Sequence, residues 1–139
     1  MKNFLNYLLF IIKYGILEIS KEVGIMPNNI QKILNDFLEE VKIILGNRLK
    51  KIVLYGSYAR GDYNKSSDID IMILTDLSDK EINEYSMKIW EKSADIEIDK
   101  GIVISPLIRN MESFNSWLNV KPFYMNIVNE GVVLVGEEN

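Results

Sequence analysis

Two short stretches carry residue types from which a reaction could be built: Val53-Leu54-Tyr55-Gly56-Ser57-Tyr58-Ala59-Arg60-Gly61 and, after a polar loop, Ser66-Ser67-Asp68-Ile69-Asp70-Ile71-Met72-Ile73-Leu74. In the first, an apolar, β-branched run ends on a glycine, which lets backbone approach a ligand closely, and a serine, which offers a hydroxyl. A helical turn beginning at Ser57 or Tyr58 would leave amide N–H groups and the positive end of its dipole facing outward. An anion suits such a place. Arg60, on the same turn, supplies a fixed positive charge for a phosphate, and Gly61 ends the turn. By itself, Gly-Ser is no more than an ordinary strand-to-helix corner.

The second stretch changes that weighting. Strand side chains alternate, so Asp68 and Asp70 share one face while Ile69, Ile71 and Ile73 line the other against a core. Two carboxylates roughly 6 Å apart at an effective dielectric of about 20 repel by about 3 kcal/mol. Water relieves this if the strand end is merely exposed. A divalent ion relieves it if the end faces a cleft, and carboxylate oxygens with room left for substrate phosphates are what Mg²⁺ prefers. With a phosphate-binding turn on the preceding strand, the metal reading is the better one.

Gly56-Ser57-Tyr58-Ala59-Arg60-Gly61, then the loop, then Ser67-Asp68-Ile69-Asp70, resembles the signature of the minimal nucleotidyltransferase family within the DNA polymerase β superfamily. From about Asn28 to Leu134 the chain looks like a whole domain of this kind, in order and in length. The resemblance implies an α/β (α+β) nucleotidyltransferase fold, a small mixed sheet flanked by helices. It implies that Asp68 and Asp70 are catalytic and hold one or two Mg²⁺ ions, and that Gly56 and Ser57, helped by Arg60, bind the phosphates of a nucleoside triphosphate, ATP being the family default. Members of the family resemble antitoxins that attach AMP to a tyrosine of a helical HEPN ribonuclease toxin, so a protein acceptor is expected. Small-molecule adenylylation, as in aminoglycoside nucleotidyltransferases, is one alternative. An inactive member of the fold that neutralises a partner by contact is another.

The elements that must position these residues follow from patterning. The chain has 139 residues, 47% apolar and 26% charged, an ordinary mixture for one domain with a full core. The net charge of −4 argues against an extended nucleic-acid surface, leaving at most a local basic site around Arg48, Lys50 and Lys51. There are no cysteines and no histidines, which removes disulfides, thiolate zinc sites and histidine-based triads and fits a reducing cytoplasm. Phe4 to Ile12 is apolar, but Lys13 interrupts it, no small-residue cleavage site follows, and it is too short to span a bilayer. Residues 1–27 therefore read as an N-terminal helical segment ahead of a nucleotidyltransferase domain over 28–139. Its apolar positions, including Leu5, Leu9, Ile12 and Ile16, call for cover by the domain or by another chain, an oligomer included.

Ile30, Ile33, Leu34, Phe37, Leu38, Val41, Ile44 and Leu45 recur at helical steps up to Gly46 and predict a helix lying across the sheet. Ser78 caps another helix beginning near Asp79. Helices near Met111–Leu118 and Phe123–Asn129 and a last strand Val132–Val135 complete the domain, with Trp117, Phe123 and Tyr124 as packing aromatics. The stretch Ser93 to Gly101 alternates like a strand yet also continues the helix. Helix to about Asp99, then a strand Ile102–Ser105 halted by Pro106, is preferred. The resemblance implies a third carboxylate on the strand beside the paired aspartates. On the preferred reading Ser105 stands in its place and no third acid is named; on the other, Glu97 or Asp99 could serve.

Overall fold

A computed structural model describes residues 26–137. The segment expected over residues 1–27 lies, up to residue 25, outside the described residues. The apolar stripe predicted between Asn28 and Gly46 forms helix α1, Asn28–Leu45, which buries Ile30, Leu34, Phe37, Leu38, Val41 and Leu45. It also buries Asn35, a position outside that stripe. A 3-10 turn, Gly46–Arg48, turns the chain into strand β1, Leu49–Tyr55. There follow a single helical turn, α2, Ser57–Arg60, and strand β2, Ile69–Thr75.

Helix α3 runs from Asp79 to Lys100. Its start is fixed by a capping box in which the Ser78 hydroxyl accepts from the Glu81 N–H and the Glu81 carboxylate accepts from the Ser78 N–H. Strand β3 is Ile104–Asn110, helix α4 Met111–Ser116, helix α5 Pro122–Glu130 and strand β4 Val132–Val135. The strands form one sheet in the order β3-β2-β1-β4, parallel between β2 and β3 and antiparallel elsewhere. This is the mixed sheet flanked by helices that the family resemblance implies.

Alternation along the strands gives the sheet two apolar faces. Ile52, Leu54, Ile69, Ile71 and Ile73 pack with α1 and α3, whereas Val53, Met72 and Leu74 pack with Phe114 of α4 and Tyr124 and Ile127 of α5. Helices therefore cover both faces, and Asp70, in phase with Met72 and Leu74, lies on the α4/α5 side.

Three expectations are corrected. The strand expected to stop at Pro106 runs through it, with Pro106 opposite Ile71. As β3 is a sheet edge, a residue lacking an N–H leaves no ladder bond unmade on its outer side. Strand β2 begins at Ile69, so Asp68 stands one residue before the strand rather than within it. Phe123 and Trp117 are not core residues: they are 49% and 47% exposed, and only Tyr124 of the three aromatics is buried. Among the described residues, no helix is long and apolar enough to cross a membrane.

Candidate active site

At the end of β1 the chain turns through Gly56, whose φ of 72° belongs to the left-handed region that favours glycine. A Cβ at this position would overlap the Asp70 carboxylate, with Asp70 Cγ at 3.3 Å and Cβ at 3.4 Å. The contact follows from register, because Tyr55 pairs with Asp70 across the antiparallel β1/β2 ladder. The turn and the acidic strand thus meet at Gly56. Beyond it, the N–H groups of Ala59 and Arg60 both donate to the Gly56 carbonyl, at 3.1 and 3.0 Å, and Gly61 closes α2 at φ 84° by donating to the Ser57 carbonyl. The first amides of such a turn have no acceptor within it.

The loop that delivers Asp68 is tied locally. Asn64 Oδ1 accepts from the Ser66 N–H at 2.8 Å and hydroxyl at 2.7 Å, the Ser67 N–H donates to the Asn64 carbonyl, and Tyr63 stacks on the buried Tyr58 with ring centroids 4.3 Å apart. The Ile69 N–H then donates to the Val103 carbonyl at 2.9 Å, joining the start of β2 to the segment before β3.

Electrostatics bind the residues together. Burial pushes the Asp70 carboxyl above its ordinary value, the neighbouring Asp68 charge pushes it further, and Arg60 pulls it back. Burial also pushes the Tyr55 hydroxyl up, with Asp70 adding to it. The Arg60 guanidinium donates from Nε to Asp62 Oδ2 and from Nη1 to Glu130 Oε2, each at 3.3 Å.

These groups line a cleft of about 370 Å³. Tyr55, Gly56, Ser57, Arg60 and Asp70 form one wall; Phe123, Asn126, Ile127 and Glu130, all from α5, form the other. Asp68 is exposed and does not line it. A second cavity, of about 240 Å³, lies under α4 and α5 among Lys51, Val53, Leu74, Met111 and Phe114, and none of the predicted residues lines it. The α5 wall has no counterpart in the sequence reading. Phe123 meets Tyr55 edge-on at 5.7 Å and 81°, and nothing in the spacing of Phe123 or Glu130 marks either as facing a turn some sixty or seventy residues earlier.

Ser105 stands opposite Asp70 in the β2/β3 register, and its hydroxyl donates to Asp68 Oδ2 at 3.5 Å. Glu97 and Asp99 are exposed on α3, away from the strand ladder. Among the described residues, no group of three or more Asp, Glu, His or Cys side chains is placed to hold a metal ion. The donor set is thus two carboxylates and a hydroxyl. In donor type it fits a hard divalent cation that completes its shell with water and substrate oxygens.

A glycine turn is thus pressed against Asp70 on a mixed sheet between helices. The chain belongs to the nucleotidyltransferase domain family, whose model matches residues 30–134; it is a nucleotidyltransferase. Two relatives come from Methanocaldococcus jannaschii, and both bear the provisional name of protein adenylyltransferase. One is 37% identical over 106 residues, covering 76% of this chain and 98% of the relative. The other is 34% identical over 77 residues, covering 55% and 76%. Among solved structures, a toxin–antitoxin MntA–HpeT mutant matches with a TM-score of 0.46 and 20% identity, covering 82% of this chain and 76% of that one. A toxin–antitoxin structure with AMP-PNP matches with a TM-score of 0.44 and 21% identity, covering 72% and 73%.

Proposed function

We propose that this nucleotidyltransferase moves AMP from ATP to a hydroxyl of a protein acceptor, a tyrosine of a HEPN-type toxin, and so acts as an antitoxin. The observation that carries the reading is the close approach of Gly56 and Asp70, which brings the glycine-serine turn and an aspartate to one cleft. A protein acceptor is supported by the names of the relatives, and the HEPN-type partner by the resemblance of the Gly56–Gly61 and Ser67–Asp70 motifs.

Asp68 and Asp70 would hold Mg²⁺, whose chemistry when bound is to neutralise triphosphate charge and polarise the α-phosphate. The Ser57 hydroxyl and the first amides of α2 take the β and γ phosphates, with the Arg60 guanidinium adding charge. Phe123 and Tyr55 offer an aromatic edge to the nucleoside. The acceptor hydroxyl releases its proton to solvent as its oxygen attacks the α-phosphorus in line, the bond to the bridging oxygen breaks, and pyrophosphate leaves. Ser105, a hydroxyl of weak basicity, pairs with Asp70 on the strand where the resemblance implies a third acid. It favours one second reading, a module that neutralises its partner by contact while retaining nucleotide binding.

Purified protein with co-purifying partners, Mg²⁺ and ATP labelled separately at the α and γ phosphates tests both. The expected result is label on a protein from the α position only, lost in Asp68→Asn and Asp70→Asn variants that remain folded. Transfer from the γ position would mark a kinase and overturn the proposal. No transfer from either position, with tight partner binding, would favour the module.

A further inference from the structure

Arg60 is held from two sides. Asp62, two residues on, is a local partner. Glu130 is 70 residues away and is the last residue of α5, where the negative end of a helix dipole disfavours a carboxylate. The chain nevertheless places it there, and the next residue makes the approach feasible. A Cβ on Gly131 would overlap the Ile127 carbonyl and the Val53 side chain and lie 3.3 Å from the Leu54 carbonyl, so only glycine lets the end of α5 close onto β1. The Gly131 N–H donates to that same Ile127 carbonyl at 2.8 Å.

The pair adds little to stability, since both side chains are 43% exposed and such ion pairs are screened by solvent. Its effect is orientation. A guanidinium carries five N–H donors in a rigid plane, and here Nε and one Nη1 donor are engaged by carboxylates, which fixes the plane and leaves donors for a further anion. Glu130 and Arg60 both line the cleft that holds Ser57 and Asp70.

We infer that Glu130 is a positioning residue of the nucleotide site, acting through Arg60 to present its guanidinium to the β and γ phosphates of a nucleoside triphosphate. The inference rests on the nucleotide reading above. It is tested by binding of α,β-methylene-ATP, and separately of AMP, to the full chain in Mg²⁺ by calorimetry. Glu130→Gln is expected to weaken the triphosphate analogue by about fivefold, as for a charge-assisted contact that loses its orientation and keeps its charge. AMP binding stays unchanged and the melting temperature stays within about 1 °C, as for an exposed substitution. In an Arg60→Gln background, Glu130→Gln adds no further loss, because its route to the ligand is gone.

Unchanged or tighter triphosphate binding in Glu130→Gln would overturn the inference, tighter binding meaning that the carboxylate competes with phosphate for Arg60. An equal loss for AMP, or in the Arg60→Gln background, would overturn it too. If the unaltered chain binds neither ligand, the nucleotide reading falls and this inference with it. Binding by the unaltered chain without an effect of Glu130→Gln overturns this inference alone.

Discussion

Asp70 is placed where its own charge is unwelcome. Its carboxyl sits against the Gly56 backbone, half-buried and beside Asp68, and its folded pKa is raised above the ordinary 3.8. Below that ordinary value the group is protonated in the folded and unfolded chain alike and carries no penalty. Between that value and the raised folded one the unfolded chain ionises while the native chain still holds the proton, so the penalty builds with pH and is complete above the folded value. Asp70→Asn is therefore expected to melt above the unaltered chain at pH 7, the gap closing as pH falls toward 3.8. Added Mg²⁺ should raise the melting temperature of the unaltered chain and leave that of the variant where it is. Differential scanning calorimetry across pH reads both effects; a variant that melts lower at pH 7 contradicts the account. On the proposed function this is an exchange of stability for function. The neighbouring acids were legible from their two-residue spacing, although Asp68 stands one residue before the strand rather than on it. The α5 residues were not legible, because Phe123 and Glu130 reach the cleft only through packing of their helix on β1.

At the scale of elements, the same packing rests on Gly131. Its φ of −72° is ordinary, so no backbone strain requires glycine there; the requirement is space. Gly131→Ala forces the end of α5 off β1 and is expected to lower unfolding free energy by about 2 kcal/mol, the usual range for overpacking a closed contact. Urea denaturation measures it, and nucleotide binding should fall with it because Glu130 and Phe123 move with the helix. A loss of less than a few tenths of a kcal/mol would mean that α5 tilts freely. Helices α1 and α3 could be read from the chain, the first by its stripe and the second by Ser78 and Glu81. Strand β3 was misjudged because Pro106 reads locally as a stop, whereas its tolerance depends on a sheet position that local sequence does not encode.

For the molecule as a whole, charge decides what may approach. The net charge is −4 at pH 7, and the arginine of the cleft is flanked by Asp62 and Glu130. Non-specific nucleic-acid binding is driven by release of counterions from phosphates that lysine and arginine neutralise. A surface of this balance is expected to bind duplex DNA or structured RNA more weakly than about 10⁻⁴ M at physiological salt, the weak end of non-specific binding. A single nucleotide differs on the proposed reading, in which one cation on Asp68 and Asp70 would cancel much of its charge. ATP with Mg²⁺ should therefore raise the melting temperature, by the equivalent of about 2.7 kcal/mol at a hundredfold excess over its dissociation constant. ATP with EDTA should raise it little, and a 30-base-pair duplex with Mg²⁺ not at all. A thermal scan of the three mixtures, with a mobility shift at low salt, separates the cases. Duplex or RNA retained at micromolar protein would move the acceptor from a polypeptide to a nucleic acid, because overall repulsion would then have been overcome by a surface that recognises the polymer.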